Sequence, residues 1–132
     1  CGSKEFIYEA RRIRKALGGG MRQAGIIAAS GIVSLDTMID QIEDDHKNAQ
    51  TIANALSEID CIELKPENVR SNIIYFNTVG LSLTDSEVLE SMADEGIKFF
   101  DVSKNRFRLV THYGITSDDI QYAIEKFIKV LG

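Results

Sequence analysis

The first twenty residues follow a helical pattern of apolar and polar positions that stops abruptly. Apolar side chains recur every three or four residues from Phe6 to Leu17, behind Ser3, a residue type that favours a helix N-cap. The three glycines at positions 18–20 predict the end of this helix, because a glycine inside a helix costs about 1 kcal/mol relative to alanine.

A second, much longer helix is predicted over residues 21–56. Its first part is apolar on nearly every side as far as Leu35, and its second part carries an apolar stripe opposite a charged face. A helix that is apolar all round is expected to be buried or to pack against another subunit. The length of the predicted helix suits a spine that links one domain to another.

Beyond Asp60 the apolar residues alternate with polar ones, which is typical of strands. Strands are predicted at residues 61–64, 71–78, 97–100 and 106–111, and helices at residues 84–95 and 116–131. The predicted fold is an α/β (α+β) small domain in which long N-terminal helices precede a ββαββα sandwich. We expect two parts, a helical spine with the glycine turn at residues 1–58 and the ββαββα small domain at residues 59–132.

The composition is that of an acidic globular domain with one basic region. The 132 residues carry a net charge of −5, yet residues 1–22 hold six basic and two acidic side chains, a local balance of +4. This distribution argues against general nucleic-acid binding and favours a confined anion site. No run approaches the length of a membrane span and the two cysteines lack metal or disulfide spacing, so we expect a cytoplasmic protein without a membrane contact.

The basic glycine turn, residues 11–22, is the first candidate site. Arg11, Lys15 and Arg22 stand on either side of the three glycines, where several cationic side chains could converge on a phosphate. The alternative is a solvated helix face beside a glycine C-cap, and the residues alone leave both interpretations open.

Arg108 is the second candidate, at the centre of the fourth predicted strand. Arg106, Arg108 and Val110 share one face of that strand, and the residues between them share the other face with Thr111. An arginine in mid-strand, just before a polar Thr-His turn, is well placed to bind a carboxylate through two hydrogen bonds. The alternative is a surface arginine on a sheet with one solvated side. Thr111 and His112 are expected to orient the turn rather than to take part in chemistry.

The remaining ionisable groups favour structural roles. His46 lies among acidic residues on a helix face, without a partner at metal-ligand spacing, so no metal site is predicted. No Walker loop, dinucleotide-binding fingerprint or Ser-His-Asp arrangement is present, and three consecutive glycines alone do not make one.

Two motifs taken together resemble a known family. R-x-x-R-K-x-L-G-G-G-M-R-Q-A-G begins at Arg11, and R-L-V-T-H begins at Arg108. Their order and separation, with the opening GSKEFI, resemble the C-terminal part of threonine aldolases of the pyridoxal-phosphate-dependent fold type I. The chain opens on Cys1 and enters a helix almost at once, so we expect it to be part of a longer protein.

The resemblance implies cleavage of L-threonine or L-allo-threonine to glycine and acetaldehyde, with pyridoxal 5′-phosphate as cofactor. It assigns the substrate carboxylate to Arg108, and it places Lys15 and Arg22 near the cofactor phosphate, across a subunit interface. The implied partners are a small-molecule amino acid substrate, an upstream cofactor-binding domain and further copies in a homo-oligomer, which is a tetramer in the family. The family's cofactor lysine, ring-stacking residue and acid partner of the pyridine nitrogen all lie upstream of these motifs. No catalytic residue is therefore expected in this chain, which is predicted to be inactive alone.

Two other interpretations stay open. The first is a non-catalytic oligomerisation or binding module of the same fold. The second is a small nucleic-acid-binding domain that uses the basic run at residues 11–15 and the sheet, and the acidic body of the chain argues against it.

Overall fold

A computed structural model describes all of residues 1–132, which form two compact units, Cys1–Asp36 and Thr37–Gly132. The elements follow in chain order: α1 (Lys4–Ala16), α2 (Gly25–Thr37), α3 (Ile42–Leu56), β1 (Ile62–Glu63), β2 (Ile73–Thr78), α4 (Asp85–Asp94), β3 (Phe100–Ser103), β4 (Arg106–Val110) and α5 (Ser117–Leu131). The predicted α/β class and the ββαββα order are confirmed. The predicted domain division at residue 58 stays a prediction.

The first unit consists of two helices without a buried residue. Ser3 caps α1 as predicted, because its hydroxyl accepts the N–H of Phe6 at 3.2 Å. The apolar side chains of α2 are open to solvent, with Ile26 78% exposed and Leu35 69% exposed. An apolar helix exposed to this degree is typical of an interface with another chain or domain.

The prediction of one long helix over residues 21–56 is wrong. The helix is interrupted at residues 38–41. There the N–H groups of Gln41 and Ile42 form only turn hydrogen bonds, to carbonyls three residues back. The acidic run at residues 43–45 explains the restart, since acidic side chains stabilise the positive N-terminal end of a helix. No single helix is long and apolar enough to cross a membrane; α2 and α3 reach the required length only as a pair interrupted by this break.

The second unit packs helices against one face of a four-stranded antiparallel sheet. The strand order is β1-β2-β4-β3, so β4 lies inside the sheet and pairs with strands on both sides. The core lies between the helices and the sheet. The helices contribute Ile52, Leu56, Val88, Met92 and Ile120, and the strands contribute Ile74, Phe76 and Leu109, among others. The opposite face, called the open face below, carries Glu63, Ile73, Tyr75, Asn77, Phe100, Arg106, Arg108 and Val110.

Four phenylalanines form the centre of the core. The ring of Phe76 lies 5.3 Å from Phe107, 5.7 Å from Phe99 and 5.9 Å from Phe127, measured between centroids. Such aromatic pairs contribute about 0.5–1.5 kcal/mol each beyond the area they bury. The buried ring of Phe107 thus fixes β4 to the core at the position next to Arg108.

Two capping boxes set the starts of α4 and α5, the helices predicted over residues 84–95 and 116–131. The N–H of Thr84 donates to the carboxylate of Glu87 at 2.7 Å, and the N–H of Thr116 donates to that of Asp119 at 2.8 Å. The backbone N–H of Thr84 lowers the pKa of Glu87, and the hydroxyl of Thr116 lowers the pKa of Asp119. Each threonine hydroxyl in turn accepts the N–H of its acidic partner, so both helix starts are satisfied from both sides.

The strand predicted at residues 97–100 is displaced along the chain, since β3 begins only at Phe100. Gly96 takes a φ of +80°, and the N–H of Ile97 donates to the carbonyl of Met92 at 2.9 Å. This is the hydrogen-bond pattern of a Schellman cap, in which an apolar residue follows the glycine. Ile97 therefore ends α4 instead of beginning the strand.

Candidate functional site

Arg108 lies on the open face of the inner strand β4, as the alternation of the sequence predicts. Phe107 and Leu109 on either side of it point into the core, with exposed fractions of 0% and 8%. In the ladder, Arg108 is directly opposite Tyr75 of β2 and Phe100 of β3. Because β4 is hydrogen-bonded to a strand on each side, the backbone from which the Arg108 side chain extends is held in place.

The guanidinium of Arg108 has hydrogen-bonding capacity that the chain does not use. No carboxylate lies within ion-pair distance of it, and its Nε is buried without an acceptor. The Cζ atom lies 5.9 Å from the centroid of the Phe100 ring. A buried donor without a partner costs about 1–3 kcal/mol. An anion that binds the guanidinium, after the arginine side chain rearranges, would remove this cost and stabilise the complex.

Arg106 shares the open face but turns to the other side of β4. Its Cζ lies 5.2 Å from the ring of Tyr75, and its side chain lines a cavity of about 800 Å³ together with Glu63, Lys65 and Asn77. Arg108 does not line this cavity. The two arginines of β4 therefore occupy different surroundings, although sequence alternation alone makes them equivalent.

Thr111 and His112 have structural contacts, as expected. Thr111 is fully buried, and its hydroxyl donates to the carbonyl of Asp45 at 2.7 Å. The amide Nδ2 of Asn72 donates to the carbonyl of Thr111 at 2.7 Å, so the start of β2 and the end of β4 are tied together. His112 contacts the neighbouring carbonyl of Tyr113 through Nδ1 at 2.9 Å. The role of Asn72 could not be predicted, because nothing in the sequence shows which residue lies opposite Thr111.

The first two of the three glycines form the C-terminal cap of α1. The N–H of Gly18 donates to the carbonyl of Lys15 at 3.2 Å, and the N–H of Gly19 donates to that of Arg14 at 2.8 Å. Gly18 has a φ of +82°, which favours glycine, and a Cβ at Gly19 would approach the Arg14 carbonyl to 3.0 Å. The first two glycines are thus explained by the end of α1 alone.

The side chain of Lys15 lies beside Gly20 without requiring a glycine there, because the atom that a Cβ would meet is the end of a flexible side chain. A Cβ at Gly20 would lie 2.9 Å from Nζ of Lys15, so the ammonium group folds back over the glycine turn. Lys15 and Arg22 are both exposed and have no ion-pair partner within the chain. Gln23 follows with a φ of 52°, which delays the start of the second helix from the predicted Met21 to Gly25.

The basic residues of the first unit are almost entirely uncompensated. Of the six between positions 4 and 22, only Arg12 forms an ion pair, with Glu9 at 2.9 Å. Arg11 lies beside Lys4 and Tyr8 in a shallow groove along one side of α1. Unpaired cations around a glycine turn are a donor set suited to phosphate.

The structure leaves the two candidate sites in separate compact units. Lys15 and Arg22 belong to Cys1–Asp36, and Arg108 belongs to Thr37–Gly132. That they serve one common site stays a prediction. No group of three His, Cys, Asp or Glu side chains is arranged to hold a metal ion.

Comparison with known proteins extends these observations. A family model described as beta-eliminating lyase matches residues 1–78, which include the whole basic glycine turn. The chain belongs to the beta-eliminating lyase family. The part of the chain that carries Arg108 lies beyond residue 78, outside the matched segment.

Threonine aldolases are among the proteins similar to this chain. A probable low-specificity L-threonine aldolase 2 from Arabidopsis thaliana is 36% identical over 130 residues, which are 98% of this chain and 37% of that protein. Low-specificity L-threonine aldolase 1 of the same plant is 33% identical, again over 98% of this chain and 37% of its own length. The Escherichia coli K12 low specificity L-threonine aldolase is 46% identical over 57 residues, 43% of this chain and 17% of its own.

The chain spans little more than a third of the length of the two plant relatives. The predicted resemblance to threonine aldolases is confirmed, and the length relation fits the C-terminal portion that the motifs indicated. Both plant matches cover nearly the whole chain, so Arg108 falls within the similar region even though the family model ends before it.

Proposed function

We propose that this chain is part of a pyridoxal-phosphate-dependent aldolase that cleaves L-threonine or L-allo-threonine to glycine and acetaldehyde, and that Arg108 binds the substrate carboxylate. The observation that carries the proposal is the unsatisfied guanidinium of Arg108 on an inner strand, with a buried Nε and no acidic partner. A fixed arginine with free donors can hold a carboxylate in one orientation through two parallel hydrogen bonds. The names of the plant relatives support this choice of reaction.

The donor set of the basic glycine turn fits the phosphate of the cofactor. Lys15 and Arg22 are exposed, unpaired cations, and the ammonium of Lys15 lies directly over Gly20. When bound, pyridoxal 5′-phosphate supplies the electron-withdrawing ring that stabilises the negative charge left on the α-carbon after the Cα–Cβ bond breaks. Lys15 and Arg22 would hold its phosphate, and Arg108 would orient the substrate so that this bond is the one aligned for cleavage.

The chain alone is proposed to be inactive, because the cofactor lysine implied by the resemblance lies upstream of the motifs seen here. The proposal includes an upstream cofactor-binding domain and a homo-oligomer in which the basic glycine turn reaches a neighbouring subunit. Cys1 and Cys61 are both free thiols, which favours a cytoplasmic location. Cleavage of threonine by the purified 132-residue chain with added cofactor would contradict the proposed inactivity.

The assignment of Arg108 is tested by steady-state kinetics on the longer protein that contains this chain. Arg108→Ala should raise the KM for threonine about 10- to 100-fold, since a hydrogen-bonded charge pair contributes about 1.5–3 kcal/mol. Arg106→Ala is the matched control on the same face of the same strand and should leave KM within about threefold, the range expected for surface charge. Equal effects of both substitutions would remove Arg108 from its specific role.

The phosphate assignment has a separate test, the affinity for pyridoxal 5′-phosphate in the same protein. Lys15→Ala and Arg22→Ala should each weaken binding about tenfold, because each removes one charge-assisted hydrogen bond. Arg14→Ala is the control, since Arg14 is also an exposed cation of the last turn of α1. If Arg14→Ala weakens binding equally, the effect is one of general charge and the assignment fails.

A non-catalytic oligomerisation module is the second candidate function, and the exposed apolar surface of α2 favours it. Ile26, Ile27 and Leu35 are each more than 60% exposed in this chain. The 132-residue chain should therefore self-associate in light scattering, and Ile26→Lys should shift it toward smaller species. A monodisperse monomer would contradict the use of α2 as an interface between copies.

A further inference from the structure

We infer that Phe100 is a positioning residue for Arg108, and that its ring holds the guanidinium in the direction from which it receives the substrate carboxylate. This inference rests on the proposed function of Arg108. The two residues are direct partners in the β3–β4 ladder, and the guanidinium lies 5.9 Å from the ring centroid. A cation over an aromatic face at this distance is attracted by the negative potential of the ring.

Phe100 has no role in the core that would explain its presence. It is 66% exposed, whereas its neighbour Phe99 is 8% exposed and belongs to the cluster of four rings. All four residues of β3 are exposed, so the strand contributes nothing to the core from this position. The contact that Phe100 does make is with the arginine proposed to bind substrate.

The backbone of β3 supports this placement. The ladder is regular at Phe100 and Asp101, and the register shifts only afterwards, between Asp101 and Ser103. A bulge bends its strand and strengthens the local twist, so it changes the direction of side chains beyond it. The bulge begins after the Phe100–Arg108 pair, and the pair therefore keeps the regular cross-strand geometry.

The ring also selects one direction for a long, flexible side chain. Arg106 leans toward Tyr75 of β2, while Arg108 leans toward Phe100 of β3. Each arginine thus rests on an aromatic residue of a different neighbouring strand. Without the ring of Phe100, the Arg108 side chain would sample more rotamers. The substrate carboxylate would then have to order this side chain on binding, which weakens affinity.

The test is a pair of substitutions at Phe100 in the longer protein, with and without Arg108. Phe100→Leu keeps an apolar side chain but removes the ring, and it should raise the KM for threonine about two- to fivefold with kcat within twofold. Phe100→Tyr keeps the aromatic ring and should leave the KM for threonine at the value of the unsubstituted protein. In the Arg108→Ala background, Phe100→Leu should have no further effect, because its target is gone.

A second measurement does not depend on activity. In the NMR spectrum of the 132-residue chain, Phe100→Leu should move the side-chain Nε–H resonance of Arg108, since the ring current is lost, and Phe100→Tyr should largely preserve it. An unmoved resonance, or a KM effect of equal size in the Arg108→Ala background, would overturn the inference. If Arg108→Ala raises KM and Phe100→Leu does not, the inference alone fails; if Arg108→Ala leaves KM unchanged, the proposed function fails with it.

Discussion

Asn72 and Thr111 hold each other through three hydrogen bonds at the place where β2 begins and β4 ends, the longest of them from the Thr111 hydroxyl to the carbonyl of Asn72 at 3.4 Å. Nδ2 of Asn72 donates to the carbonyl of Thr111 at 2.7 Å, and the N–H of Thr111 donates to the carbonyl of Asn72 at 2.9 Å. The ladder that places Tyr75 opposite Arg108 starts immediately beside this clamp. A slip of one residue would turn Arg108 toward the core, so the clamp helps to keep the arginine on the open face.

Thr111→Val is expected to lower the free energy of unfolding by about 1–2 kcal/mol. The substitution keeps the shape of a fully buried side chain but removes the hydroxyl that donates to the carbonyl of Asp45. Urea denaturation of the 132-residue chain measures the change. Thr111→Ser retains the hydroxyl and should lose less stability than the valine variant; the reverse order would assign the role of Thr111 to its methyl group.

Glu95 should make the stability of the second unit depend on pH in the acid range. Its carboxylate accepts hydrogen bonds from Lys126, at 2.8 Å, and from Lys129, and these lower its pKa from 4.5 to about 2. Because the folded-state pKa is depressed, this contribution is fully present above pH 4.5 and is lost as the pH falls from there through about 2.

Comparison with Glu95→Gln isolates this contribution from the other acidic groups. The difference in unfolding free energy between the two proteins should be constant above about pH 5 and should shrink progressively below pH 4.5. Glu87 and Asp119, whose pKa values are also lowered, titrate in both proteins and cancel in the difference. A difference that is independent of pH down to 2 would contradict the assigned pKa.

Gly18→Ala should destabilise the end of α1 by about 1 kcal/mol, because alanine is strained at a φ of +82°. Amide hydrogen exchange of Lys4–Ala16 measures the effect as faster exchange in the last turn. Gly31→Ala is the control within α2, where a Cβ would meet nothing within 4 Å and glycine is the poorer helix former. Gly31→Ala should slow exchange in α2; if both substitutions act alike, the backbone conformation of Gly18 is not the cause.

Phe76→Ala should cost about 3–5 kcal/mol, the usual loss when a large buried side chain leaves a cavity. The ring of Phe76 is 1% exposed and contacts all three other rings of the cluster. Urea denaturation followed by circular dichroism checks the value. Phe100→Ala, at an exposed position of the same sheet, should cost far less, and comparable losses would mean that the open face is covered in solution.

Most elements of the second unit could be predicted, because local chemistry sets their ends. The capping pairs at Thr84 and Thr116 and the left-handed turn at Asn105 can be read from neighbouring residues. The break at residues 38–41 could not, since apolar spacing continues through it. The prediction that places Ile97 in a strand is wrong, because a β-branched residue after a glycine suits a strand and a helix cap equally.

The candidate site divides in the same way. The face occupied by Arg108 follows from alternation within a single strand, and the sequence predicts it correctly. The contacts with Phe100 and Asn72 depend on the strand order and on register, which involve residues far apart in the chain. The distinction between Arg106 and Arg108 arises only from the different rings of the two neighbouring strands.

The outer strands of the sheet limit how copies of this chain can assemble. On one side β1 is only two residues long, and on the other β3 is interrupted by the shift of register between Asp101 and Ser103. Short or bulged edges are poor templates for the backbone of another strand, and proteins use them to prevent edge-to-edge polymerisation. Growth into a continuous sheet is therefore disfavoured at both edges, and any association between copies would have to use side-chain surfaces, which can form closed assemblies of defined size.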